Sequence, residues 1–179
     1  MKKKILYFLF VIFLIFFVFY LSFFQTELFN EKENVQLHDF DSPILYKVSR
    51  VIDGDTIEVI IGNKYERVRL LGINTPEVDS SYTKEECYGP EASAYLKKIL
   101  ENKYVSLKSD EQNDNRDKYN RLLRYVFMQD GTFVEEELIK NGYAYNYPYF
   151  PFEFMEQFSD WEKQAKENRI GLWSVCLSQ

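Results

Sequence analysis

The chain has 179 residues, 46% of them hydrophobic, with 22 lysines and arginines against 28 aspartates and glutamates. That length holds one domain plus an extra segment, and two cysteines are too few for a zinc site. A net charge of −6 excludes general attraction to a polyphosphate, so any nucleic-acid chemistry has to rely on local cations.

The extra segment comes first. Lys2, Lys3 and Lys4 precede a run from Ile5 to Phe24 without a charged residue, glycine or proline, and about 20 residues of helix cross a bilayer core. The run ends Tyr20-Leu21-Ser22-Phe23-Phe24 with no Ala-x-Ala-like site. An uncleaved transmembrane anchor is therefore expected for residues 1–24, with secretion after signal cleavage as the alternative. The lysines stay cytoplasmic, which places the rest of the chain outside the cell membrane as a single-pass protein. All 28 acidic residues follow Phe24 and three cations precede it, so nineteen cations face 28 anions in residues 25–179, a net charge of −9. Cys87 and Cys176 both fall in this outward part, where a disulfide is expected over two free thiols.

Residues 25–43, with Glu27, Glu31, Glu33, Asp39 and Asp41, read as an acidic flexible linker. His38, the only histidine, lies in it, so histidine-dependent catalysis is not expected. From residue 44 to 179 the pattern is that of a folded domain. Ile44 to Ile52, Thr56 to Ile61 and Tyr65 to Leu71 read as short strands joined by Asp53-Gly54 and Gly62-Asn63 turns. In the third strand Val68 and Leu70 share one face and Arg67 and Arg69 the other, so Arg69 points away from a core built on the aliphatics. Gly89-Pro90-Glu91 opens a helix whose apolar stripe is Ala92, Tyr95, Leu96, Ile99 and Leu100. Tyr104 to Lys108 and Leu122 to Phe127 are two further strands. Thr132-Phe133-Val134-Glu135 has the form of a capping box for a helix that Asn141-Gly142 stops. A last helix, Glu153 to Arg169, repeats Phe154, Phe158, Trp161 and Ala165 on one face. Five short strands with three helices predict an α+β domain built on a small closed barrel.

Two stretches carry oxygen-bearing side chains at the ends of apolar runs, where a barrel rim can collect ligands for a hard cation. One is Asp53-Gly54-Asp55-Thr56; the other runs from Arg69 through Asn74, Thr75 and Pro76 to Glu77. Either alone is also an ordinary turn. Together with Tyr88-Gly89-Pro90-Glu91-Ala92-Ser93, Asp117-Lys118-Tyr119-Asn120-Arg121 and Gly171-Leu172-Trp173, they resemble the staphylococcal nuclease (thermonuclease) family in order and spacing over about residues 44–176. The resemblance implies a five-stranded OB-fold barrel with three α-helices, and a calcium-dependent phosphodiesterase that cuts DNA or RNA and leaves 3′-phosphates. It implies Asp55 as the calcium carboxylate, Thr75 as a backbone-carbonyl ligand, Glu77 as the water-activating base, and Arg69 and Arg121 as the holders of the scissile phosphate.

The roles agree with the residue types. Calcium prefers oxygen ligands, and arginine offers a planar fork that stays charged and can bind two phosphate oxygens. The chain departs from the family at Asn74, where a second calcium carboxylate is usual; asparagine keeps a carbonyl oxygen but removes a charge, so weaker calcium binding with catalysis retained is expected. Tyr143, Tyr145, Tyr147, Tyr149, Phe150 and Phe152 crowd one segment, either to stack bases or to pack the last helix. The expected partners are the nucleic-acid substrate and, through residues 5–24, the membrane, with no protein partner and a monomeric state. The alternative is a non-catalytic binding module that retains the fold.

Overall fold

The computed structural model describes residues 43–176, apart from 80, 82 and 83. The apolar run 5–24 and the linker residues 25–42, His38 included, lie outside the described residues. Among the described residues no helix is long and apolar enough to cross a membrane.

Five strands close a barrel in the order β1-β2-β3-β6-β5: β1 Tyr46–Val51, β2 Thr56–Ile61, β3 Lys64–Leu70, β5 Tyr104–Lys108 and β6 Leu122–Met128. All neighbours are antiparallel except β3 and β6, which run parallel. The β2–β3 hairpin turns on Gly62 at φ +60°, the left-handed geometry a two-residue hairpin loop demands. Alternation then decides the faces. Val48, Ile57, Val59, Val68, Leu70, Val105 and Val126 point in and are buried, while Arg67 and Arg69 fall on the other face of β3, as the sequence pattern predicts.

Helix α1, Gly89–Leu100, covers the barrel with Ala92, Leu96 and Leu100 buried. α2, Val134–Lys140, and α3, Met155–Glu167, pack together beside β6. The rings of Tyr125, Phe133, Phe154, Phe158 and Trp161 fill the space between them in edge-on and tilted pairs. Three elements go beyond the expected barrel and three helices. Ile73–Asn74 (β4) pairs with Tyr145–Asn146 (β7), and a one-turn helix, α4, spans Leu172–Val175. Cys176, at the end of α4, forms a disulfide with Cys87.

The capping box is not formed. Phe133 is the residue before α2 and no side chain caps it; the Thr132 N–H is taken by Asp130 instead, at 3.0 Å. Glu135 sits one position nearer the helix start than a capping box requires. It turns inward, where both carboxylate oxygens lie 3.2 Å from the Val126 N–H.

Candidate active site

The turn after β1 is built around Asp55. Asp53 Oδ1 accepts the Asp55 N–H at 3.1 Å, which tightens the turn. Gly54 leaves room for Thr75: a Cβ there would lie 2.4 Å from Thr75 Oγ1. The Thr75 N–H donates to Asp55 Oδ2 at 3.2 Å and the Leu70 N–H to the Asp55 carbonyl at 2.9 Å, so the end of β3 and the segment after β4 both grip this residue.

Arg69 lies against it. Its Nη2 is 2.8 Å from Asp55 Oδ2 and donates to Asn74 Oδ1 at 3.2 Å, while Nη1 donates to the Leu70 carbonyl at 2.6 Å. The pair is largely shielded, with side-chain exposures of 14% for Arg69 and 10% for Asp55. Burial pushes the Asp55 carboxyl up to about 6, against the pull of Arg69 and with a further push from Asp53.

Thr56 extends the network sideways. Its hydroxyl donates to Asp55 Oδ1 at 3.1 Å and accepts from Arg121 Nη1 at 3.3 Å. Arg121 is aimed by Asp117, whose Oδ2 accepts from Nε at 2.7 Å and whose Oδ1 accepts the N–H groups of Tyr119 and Arg121, each at 2.9 Å. Against the effect of its burial, those N–H groups and the guanidinium hold the Asp117 carboxyl below its usual range. Tyr119, an exposed ring, lies beneath both Arg121 and Lys118, at 5.5 and 5.0 Å.

Glu77 is the exposed member, and no hydrogen bond of its side chain is present among the described residues. Its carboxyl is raised above the usual range by partial burial and by Asp53 and Glu86, with Arg69 and Arg121 opposing. All six residues that the sequence marks are thus gathered at one rim of the barrel. Asp55, Asn74, Thr75, Arg69 and Arg121 share a single network, and Glu77 stands within electrostatic reach of it. Sequence reasoning left Thr56 and Asp117 unassigned. The signals for them were adjacency to Asp55 and the four-residue spacing from Arg121.

The oxygens of this rim suit a hard cation. Asp55 Oδ2 and Asn74 Oδ1 already converge on one positively charged nitrogen, Arg69 Nη2, and the Thr75 carbonyl lies beside them, 3.4 Å from Asn74 Nδ2. These are carboxylate, amide and backbone oxygens, the donor types that calcium takes. Among the described residues there is no group of three or more His, Cys, Asp or Glu arranged to hold a metal, so the neutral oxygens would complete the set.

The aromatic segment splits in two. Tyr143 stacks on Tyr95 and Tyr88, Tyr145 meets Trp173 edge-on, and Phe152 is buried against Phe158. Tyr147, Tyr149 and Phe150 remain exposed and lie against one another.

A family model described as staphylococcal nuclease homologue matches residues 67–175. The chain is 36% identical over 149 residues to an uncharacterized protein of Methanocaldococcus jannaschii, covering 72% of this chain and 70% of the relative. It is 39% identical over 130 residues to the thermonuclease of Staphylococcus hyicus, covering 72% and 75%. It is 40% identical over 129 residues to the endonuclease YncB of Bacillus subtilis, covering 71% of this chain and 60% of that protein.

Proposed function

The chain belongs to the staphylococcal nuclease family, and from that premise we propose that it is a phosphodiesterase that hydrolyses DNA or RNA with calcium and leaves 3′-phosphate ends. The observation that carries this reading is the continuous network from Arg121 through Thr56 and Asp55 to Arg69 and Asn74 at one barrel rim. Asp55, the Asn74 amide oxygen and the Thr75 carbonyl would hold the calcium ion. When bound, calcium offsets the negative charge that builds up on the phosphoryl oxygens.

The chain's own groups supply the rest. Asp117 and Thr56 occupy Nε and Nη1 of Arg121, which leaves the remaining guanidinium N–H groups to donate to a phosphate oxygen. Arg69 adds a second positive charge on the other side of Asp55, held by Asp55 and Asn74. Two cations placed before substrate arrives stabilise the charge of the transition state without reorganisation. Glu77, exposed at the rim, accepts the proton of the attacking water as its oxygen bonds to phosphorus; the bond from phosphorus to the 5′ oxygen breaks, and that oxygen takes up a proton from solvent. The Glu77 carboxyl, raised above the usual range by partial burial and by Asp53 and Glu86, is a stronger base than that of an ordinary glutamate. Tyr147, Tyr149 and Phe150 offer exposed faces on which bases can stack, a contact that tolerates any sequence.

The proposed site of action is outside the cell membrane, with Lys2, Lys3, Lys4 and the run Ile5 to Phe24 as anchor, or with secretion as the alternative. The Cys87–Cys176 disulfide supports an oxidising compartment. The rival reading, a binding module without catalysis, draws on the missing carboxylate at Asn74.

One assay decides between the two. The protein is incubated with end-labelled single-stranded DNA or RNA, with calcium or with a chelator, alongside Glu77→Gln. Cleavage to 3′-phosphate ends that stops with chelator and falls about 10²- to 10⁴-fold in the variant is expected. Binding without calcium-dependent cleavage would establish the rival reading, and full activity in Glu77→Gln would remove Glu77 as the base.

A further inference from the structure

Glu77 needs a fixed position if it is to take a proton from water, yet its carboxylate has no hydrogen bond among the described residues. What holds Glu77 is its backbone. The Glu77 N–H donates to Glu86 Oε2 at 3.0 Å, and the Glu86 N–H donates back to the Glu77 carbonyl at 2.9 Å. These reciprocal bonds close the neck of the connection between β4 and α1.

Glu86 is itself held from three sides. Its carbonyl accepts the Gly89 N–H at 3.0 Å, at the first turn of α1. Gly89 has no side chain, and a Cβ there would stand 2.1 Å from the Glu77 carbonyl oxygen, so the start of α1 lies directly against the Glu77 backbone. Next to Glu86, Cys87 is bonded to Cys176. The helix that carries Cys176 is pinned in turn, because the Leu172 N–H donates to the Gly142 carbonyl at 2.9 Å.

We propose that Glu86 is a positioning residue for the water-activating Glu77, held in register by the Cys87–Cys176 disulfide and the start of α1. This rests on the reading of Glu77 as the base. Glu86 is exposed, and a solvated glutamate in the acidic run Glu85-Glu86 would ordinarily hold nothing. Here its carboxylate takes the N–H of the one residue whose orientation governs proton transfer. A displacement of about 1 Å at such a residue costs up to a hundredfold in rate.

The test uses the full chain, with calcium and single-stranded DNA, and compares Glu86→Ala, Glu86→Gln, Glu77→Gln and the double variant Glu77→Gln/Glu86→Ala. Glu86→Gln keeps an oxygen acceptor for the Glu77 N–H; Glu86→Ala does not. Expected is a fall of about ten- to a hundredfold in kcat for Glu86→Ala with KM within twofold of the parent, and recovery to within about threefold in Glu86→Gln. Because Glu86 acts through Glu77, the double variant should be no slower than Glu77→Gln alone. Three outcomes would overturn the proposal: kcat within twofold of the parent in Glu86→Ala, equal loss in Ala and Gln variants, or a further loss in the double variant as large as in the parent. Full activity in Glu77→Gln would instead strike the underlying reading, and the two failures are told apart by which variant stays active. Thermal melts of each variant show whether the fold is intact, and a melting point within a few degrees of the parent is expected from the exposure of Glu86.

Discussion

Arg69 Nη2 lies 2.8 Å from Asp55 Oδ2, although the β2–β3 register sets Arg69 opposite Thr56. The arginine reaches one residue past its strand partner to the carboxylate in the turn, and both side chains are largely shielded from water. Removing one member of such a pair strands the other charge. Arg69→Gln should therefore cost about 2–4 kcal/mol at pH 8, tempered because Asp55 can take up a proton. The sign with pH follows. Asp55, already raised to about 6 beside Arg69, rises further without it, so the variant loses stability as pH climbs through a wider window than the parent. Urea midpoints at pH 5 and pH 8 check this: the gap between variant and parent should be larger at pH 8. An equal gap would mean that the pair contributes packing alone.

Asn74 bears on the same nitrogen. Its amide oxygen accepts from Arg69 Nη2 at 3.2 Å, and its amide nitrogen faces the Thr75 carbonyl at 3.4 Å. A divalent ion held here would gain one carboxylate from Asn74→Asp and lose a donor that competes for the Thr75 carbonyl. Half-saturating calcium should fall by on the order of tenfold, since ligand charge tunes calcium affinity over decades. Calcium titration of cleavage, with calorimetry as a second readout, measures it. Unchanged calcium dependence would remove position 74 from the ligand set.

The two halves of the site are legible because each ends a strand, and a period-2 pattern fixes which side chains face out. Val68 and Leu70 turn inward, so Arg69 has to face the rim. Glu86 and Glu135 were hidden for a shared reason. Both stand in runs of like charge, Glu85-Glu86 and Glu135-Glu136-Glu137, and the spacing of Glu135 from Thr132 reads as a capping box. What each does depends on a backbone N–H from another element, Glu77 for one and Val126 for the other. No local pattern encodes such a partner. The Thr132 capping box failed on a shift of one residue, with Phe133 taking the place before the helix and joining the rings of Phe127 and Phe154. Tertiary packing of an aromatic ring outweighed a cap worth about 1 kcal/mol.

Glu135 leads to a prediction about pH. It is wholly buried, and burial raises its carboxyl well above the usual range despite the Val126 N–H and the more distant Arg69. In the unfolded chain it ionises near 4.5, as a solvated glutamate does. The folded state therefore keeps a proton that the unfolded state releases, and stability falls as pH rises from about 4.5 toward the folded value. Glu135→Gln retains the shape and an acceptor for the Val126 N–H but has nothing to ionise. The variant should match the parent within about 1 kcal/mol at pH 5 and exceed it at pH 9. The slope due to Asp55 ends near 6 in both proteins. Parallel stability curves from pH 6 to pH 9 would show that Glu135 is not protonated in the fold.

The Cys87–Cys176 bond closes a loop with a sequence separation of 89, and it joins the start of α1 to the C-terminal turn of the domain. In the chain-entropy account, a crosslink over that span removes about 4–5 kcal/mol of freedom from the unfolded chain. Replacing both residues, Cys87→Ala with Cys176→Ala, leaves no stray thiol and should lower the melting temperature by on the order of 10–20 °C. The barrel should survive below that melt. Its core residues Val48, Ile57, Val59, Val68, Leu70 and Val126 lie on strands that neither cysteine belongs to. Far-ultraviolet circular dichroism at 10 °C is expected to match the parent. Cleavage at the same temperature should fall, because the neck at Glu86 loses its covalent anchor beside Glu77. A double variant that melts as the parent does would mean that α1 and α4 hold this end of the domain by noncovalent contacts alone.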